Sequence, residues 1–122
     1  MKLLALLIGF VLGFSGSAGA QYSFTDLGPP LPGYANSLAS SVNNKGEVVG
    51  ICFNDLSRPQ GFLWTNGVTR ALSHPNYNTS QAYQIDDNGN ILGNAIDYSP
   101  EGFYNAVAVT HWDRDLPDLQ FN

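Results

Sequence analysis

The sequence predicts an all-β protein made of two copies of a four-stranded antiparallel meander, a unit resembling a β-propeller blade. Three observations carry this. The chain repeats itself at an offset of forty-three residues: Ser37, Ala39, Val42, Asn43, Asn44, Gly46, Val48, Val49 and Gly50 recur as Ser80, Ala82, Ile85, Asp86, Asp87, Gly89, Ile91, Leu92 and Gly93. A period of that size marks a stacked or circular architecture of one supersecondary unit. Within each copy, short apolar runs are bounded by Asn, Asp and Gly clusters, the punctuation of strands and tight turns. Beyond the first twenty residues the chain reads as strands and turns, with no helix.

Those first residues, 1–20, read as a signal peptide. Lys2 supplies the positive start and Leu3–Phe14 an apolar run shorter than the roughly twenty residues a bilayer span needs. Ala18 and Ala20 then stand at the minus-three and minus-one positions of a cleavage site before Gln21. The chain is therefore expected to be exported, extracellular or periplasmic, with no membrane span after processing. The remaining residues, 21–122, are one domain's worth.

Tyr22–Leu27 reads as an extra strand, the fourth strand of a blade whose first three are missing. Repeat one covers about 28–72. Leu38–Val42 is its first strand, and Asn43-Asn44-Lys45-Gly46 a type I turn closed by a glycine of positive φ. Glu47–Phe53 is apolar on both faces, as a covered central strand is. Gln60–Thr65 follows a polar loop, and Asn66-Gly67 is a hairpin turn leading into Val68–Leu72. Repeat two covers about 73–119. Its turn is Asp86-Asp87-Asn88-Gly89, its central strand Asn90–Ala95, its third strand Ala106–Trp112 after a longer loop, and its last strand Leu116–Phe121. Gly50 and Gly93 sit inside strands, which points to a bulge or close backbone approach; here they are read as the places where neighbouring sheets come closest.

Two such blades must cover two apolar outer faces, with Val49, Ile51, Phe53, Leu63 and Trp64 among the expected contributors. The pattern admits a partial propeller completed by further copies of the chain, three chains giving six blades, or a small two-sheet sandwich.

The motifs Asp26-Leu27-Gly28, Leu31-Pro32-Gly33, Ser37-Leu38-Ala39, Val42-Asn43-Asn44, Gly46-Glu47-Val48-Val49-Gly50 and Phe62-Leu63-Trp64-Thr65-Asn66-Gly67 resemble the bacterial extracellular HAF repeat. Gln60 and Gly61 replace the histidine and alanine of that name, and the second copy has Val109-Thr110-His111-Trp112 where the phenylalanine-leucine-tryptophan core belongs. The resemblance implies export and a propeller-like fold. It carries no catalytic residues.

Charge narrows the partners. With Lys2 removed, four basic residues face ten acidic ones, a formal charge of −6. Phosphate recognition needs clustered Lys and Arg, so nucleic acid is excluded, and anionic membranes with it. Cys52 is the single cysteine and reads as a small buried apolar residue. Asp86-Asp87-Asn88-Gly89-Asn90 lacks the glycine and glutamate spacing of a calcium loop. His74 and His111, the two histidines, belong to no cluster of zinc-ligand spacing. No cofactor, metal or catalytic residue is expected.

Aromatics carry the functional expectation. Tyr22, Tyr34, Tyr77, Tyr83, Tyr98 and Tyr104 lie mostly outside the strand cores, among the amides and carboxylates that a glycan or peptide surface combines with flat rings. Tyr34, Tyr77 and Tyr83 are the candidate ligand-binding residues, with Tyr34 and Tyr77 at equivalent positions of the two repeats. Gly46, Gly50, Gly67, Gly89 and Gly93 are the structural glycines. The expected role is a non-catalytic binding or assembly module whose partner is a glycan, a protein or further copies of itself. The alternatives are a structural repeat fragment with no ligand and, third, a propeller-type hydrolase or lyase.

Overall fold

The structure, a computed structural model, describes residues 19–120, with side-chain surroundings for residues 19–115. The expected signal peptide therefore lies outside the described residues, apart from Gly19 and Ala20, and so does Ala18 of its cleavage site.

The described chain is all-β. Eight strands run in order: β1 (Asn36–Val42), β2 (Val48–Phe53), β3 (Pro59–Thr65), β4 (Val68–Ala71), β5 (Thr79–Ile85), β6 (Asn90–Tyr98), β7 (Tyr104–Asp113) and β8 (Leu116–Gln120). They form two four-stranded antiparallel meanders, β1-β2-β3-β4 and β5-β6-β7-β8, one per repeat. Tyr22–Leu27, expected as a strand, forms none. Its alternation of aromatic and polar residues suits a ladder, but it pairs with no strand among the described residues.

Turn chemistry places the hairpins where the sequence put them. Gly46, Gly67 and Gly89 have φ of 75°, 84° and 87°, the left-handed region that suits glycine. Asn43 Oδ1 accepts the Lys45 and Glu47 amides, both at 3.0 Å, and Asp86 Oδ1 accepts those of Asn88 and Asn90, both at 2.9 Å. One side-chain oxygen thus satisfies two loop donors in each copy. The second hairpin is longer than expected. β6 and β7 stay paired through Ala95↔Ala108, Ile96↔Val107 and Asp97↔Ala106, with a register shift before Tyr98↔Tyr104. Only Ser99–Phe103 turns, closed by Ser99 N–H to Phe103 C=O at 2.8 Å.

Gly50 and Gly93 mark close approaches within a sheet, not between sheets. A Cβ on Gly50 would meet the Leu38 carbonyl and the Phe62 ring; one on Gly93 would meet the Gln81 carbonyl and the Trp112 ring. Each lies opposite a bulge in the preceding strand, at Ala39/Ser41 and Ala82/Gln84. The bulge presses a carbonyl towards the partner strand, and only a residue without a side chain fits beneath it.

The two sheets approach each other closely at Gly61. A Cβ there would stand 3.0 Å from Ser80 Oγ and 3.2 Å from the Ala82 amide nitrogen. Around it the main core joins both repeats: Val49, Leu63 and Leu72 from the first, Ala82, Ile85, Ile91 and Trp112 from the second. Val49, Leu63 and Ile51, expected among the outer-face residues, instead lie buried, Val49 and Leu63 in this inter-sheet core. Burying a side chain of that size is worth about 1.5–3 kcal/mol.

Candidate functional site

The repeats stack in one direction, so each sheet has two unlike faces. The face of the first sheet that meets the second carries Val49 and Leu63. The face of the second that meets it carries Ile91 and Trp112. The register fixes the equivalences: Val48↔Trp64 matches Ile91↔Trp112, Val49↔Leu63 matches Leu92↔His111, and Ile51↔Gly61 matches Asn94↔Val109. The outer face of the first sheet is therefore the Trp64 face, and the outer face of the second is the Leu92 face.

Polar contacts lock the inner interface. Gly61 N–H donates to Ser80 Oγ at 2.9 Å, and Ser80 Oγ–H donates to Leu72 C=O at 2.5 Å. Gln60 Nε2 reaches Leu72 C=O at 2.8 Å. The two turns also interlock at the repeat offset. Asn43 Nδ2 donates to Asp86 C=O at 3.0 Å, and Asn44 donates from its backbone and its amide to the two Asp87 carboxylate oxygens at 2.8 and 2.7 Å. Asn in one copy and Asp in the other thus make a donor–acceptor pair. The Asn44 hydrogen bonds hold the Asp87 carboxyl below its ordinary range. Beside them Arg114 pairs with Glu47 at 2.8 Å. Burial alone would raise the Glu47 carboxyl, but hydrogen bonds from Asn43 and Arg114 outweigh it and the net shift is downward.

The outer face of the first sheet is partly covered by its own chain. Leu31 is buried with Cys52 and Phe62, and Tyr34, Val48, Trp64 and Ala71 pack against them. Burial raises the thiol of Cys52 and the hydroxyl of Tyr34. A cleft of about 60 Å³ remains, lined by Leu27, Pro29, Pro30, Cys52, Phe62 and Trp64, room for about two waters. Trp64 Nε1 is buried there with no hydrogen-bond partner, whereas the equivalent Trp112 Nε1 donates to Ser73 C=O at 2.9 Å.

The outer face of the second sheet, apart from the buried Ile96, is largely exposed among the described residues. Leu92, Val107 and Val109 are 49%, 56% and 77% exposed, and Tyr83 is 43% exposed. Gln81 accepts from the Tyr83 hydroxyl, and Asn94 Nδ2 reaches that hydroxyl at 3.4 Å. At the far end of the same hairpin the rings of Tyr98 and Tyr104 lie 4.8 Å apart, with the Arg58 guanidinium 5.8 Å from the Tyr98 ring. Burial, then its hydrogen bond with Tyr104, pushes the Tyr98 hydroxyl up to about 12, so it is neutral at physiological pH. The surface is an apolar strip flanked by phenols and amides.

The three candidate tyrosines do not converge. Tyr34 packs on the first sheet's outer face and Tyr83 stands on the second's. Tyr77 holds the turn equivalent to that of Tyr34: Tyr34 N–H bonds to Leu31 C=O, and Tyr77 N–H to His74 C=O. Its ring packs edge-on against His74 at 4.7 Å. It also lines a hollow of about 290 Å³ with His74, Asn76, Val109, Thr110 and His111. His111 Nε2 lies 3.2 Å from Asn90 Oδ1. Leu92, Val107 and Val109 were not singled out as surface residues; their signal was the repeat itself, since Val109 and His111 stand where copy one has Gly61 and Leu63. Among the described residues no group of three or more His, Cys, Asp or Glu could hold a metal ion, and no helix is long and apolar enough to cross a membrane.

Compared with protein-family models, curated proteins and solved structures, the chain matches none.

Proposed function

We propose that the protein is an exported, non-catalytic β-repeat module that acts by surface contact, at the cell surface or outside it, and that the outer face of the second sheet is its contact surface. The carrying observation is the exposure of Leu92, Val107, Val109 and Tyr83 on one sheet face. Apolar area beside fixed phenol and amide groups suits a glycan ring or a peptide. Export and the HAF-repeat resemblance rest on the sequence motifs, and a bacterial extracellular or periplasmic setting comes with them.

Face-to-face stacking of further copies into a ring is the less supported form of this reading. The inner interface needs Gly61, where even a Cβ would crowd Ser80 and Ala82. Val109 occupies that position on the outer face, and polar Asn94 and His111 replace Ile51 and Leu63. The observation favours a ligand on this face over another blade.

The test is amide-shift NMR on the processed chain, Gln21–Asn122, titrated with soluble cello-, xylo- and chito-oligosaccharides. Expected are shifts confined to β5–β7 that Tyr83→Ala and Val109→Glu weaken at least about tenfold, the effect of losing roughly 1.4 kcal/mol. Equal affinity in both variants would refute the site, and no shift with any of these probes would remove the glycan reading.

A further inference from the structure

The second sheet also has an open edge. In the first sheet β4 runs along Phe62–Thr65, and the edge stays closed one residue further, where Leu72 N–H donates to Gly61 C=O at 2.8 Å. In the second sheet, among the described residues, β8 meets β7 only at Trp112 and Asp113. Among the described residues no strand pairs with the other side of β7 from Tyr104 to His111. That leaves a row of backbone donors and acceptors unpaired along a sheet edge, which recruits another strand.

The same chain carries a strand-like segment that pairs with no described strand. Tyr22-Ser23-Phe24-Thr25 alternates aromatic and polar residues, the period of a strand, and Tyr22 and Phe24 are 85% and 99% exposed. At the repeat offset Tyr22 falls on Thr65, the last residue of β3, Ser23-Phe24 on the Asn66-Gly67 turn, and Thr25–Leu27 on the first three residues of β4. Its second half thus matches the element that closes a β3-type edge, and β7 is the β3-type strand whose edge is open among the described residues. Gly28, at φ 86°, and the stiff Pro29-Pro30 pair separate it from Leu31, the first buried residue.

We propose that Tyr22–Leu27 of one copy adds to the open edge of β7 in a second copy, beside Tyr104–His111. The ladder supplies affinity through main-chain hydrogen bonds. Tyr22 and Phe24 then lie next to Val107 and Val109, an aromatic–β-branched pairing that favours this strand over a polar one. Neither stretch carries a charge that opposes the other: Asp26 is the single acidic residue of the segment, and Tyr104–His111 has none. Joining through an edge leaves the crowded Val109 face unstacked. The pairing specifies the assembly side of the proposed function and rests on it.

The experiment takes the processed chain and its Ser23→Pro/Thr25→Pro variant. Both substitutions fall in an exposed segment outside every strand, so the fold is untouched while two ladder donors are lost. Light scattering is expected to give the mass of two or more chains for the unsubstituted protein at high concentration and of one chain for the variant, with identical melting curves at dilutions where both are monomeric. A synthetic peptide of residues 21–27 added to the variant is expected to slow amide exchange in Tyr104–His111; the same peptide with alternate amides N-methylated is not. An oligomer that survives the prolines would overturn strand pairing while leaving assembly standing, because the copies then join by face or by β7 against β7. A monomer that also leaves those amides unprotected with the peptide would overturn both, without touching ligand binding on the sheet face, which Tyr83→Ala reports.

Discussion

Leu63 and His111 hold the same place in the two repeats, yet one is wholly buried and the other exposed. The same contrast runs through Val49 and Leu92, 0% and 49% exposed, and through Ile85 and Val42, 5% and 63%. The strands around these residues share register and bulges. Burial here is therefore set by the neighbouring repeat and not by the strand. A repeat keeps its backbone rules wherever it stands, while its face chemistry follows what lies against it.

Substitutions at matched positions break this comparison most directly. Leu63→Ala should cost about 3 kcal/mol in urea unfolding, the range for a buried leucine, while His111→Ala should stay within about 0.5 kcal/mol. Equal costs would mean the inter-sheet core is not the main one. Next in size, Gly61→Val, which writes the second copy's residue into the first, should cost about 2 kcal/mol by overpacking against Ser80 and Ala82. Val109→Gly should cost less than half of that, through lost strand propensity alone.

The interlocked turns give a smaller effect. Asn44→Ala removes one side-chain hydrogen bond to Asp87 but leaves the backbone one, so a loss of about 0.5–1 kcal/mol is expected. Asn66→Ala, in the hairpin turn without a counterpart across the sheets, should not show the same coupling to Asp87→Ala in a double-mutant cycle.

Acid gives the last and smallest one. Glu47, Asp86 and Asp87 have carboxyls held below their ordinary range in the folded protein. Their contribution is complete above the unfolded carboxylate range, about pH 4, and is lost as the pH falls through the folded values. Melting temperature should thus be flat from pH 7 to about 5 and fall below pH 4. Arg114→Gln should flatten that fall by removing the Glu47 partner; an unchanged pH profile would assign it to other groups.

Much of the fold was legible because backbone rules are local. The Asn/Asp-x-x-Gly turns, Asn66-Gly67 and the forty-three-residue offset placed seven of the eight strands, most to within two residues, and left β5 without bounds. What was not legible depends on partners. Gly50 and Gly93 announced a close approach, but whether to a bulge carbonyl or to a second sheet is a tertiary fact. Gly61 filled the second role unannounced, because its meaning appears only beside Ser80. Tyr22–Leu27 has the pattern of a strand yet pairs with none among the described residues. Residues 1–20 and the export they imply lie almost wholly outside the described structure. The tyrosines pointed to sheet surfaces and turns without revealing that Tyr34, Tyr77 and Tyr83 stand apart.

The central claim is that the two repeats share one core and open as one unit. Amide hydrogen exchange on the processed chain tests it most directly. The expected result is that the slowest amides of β2 and β3 and those of β5 and β6 exchange with one common opening free energy, which Leu63→Ala lowers equally in both sheets. Separate opening energies, with Leu63→Ala felt in the first sheet alone, would contradict it.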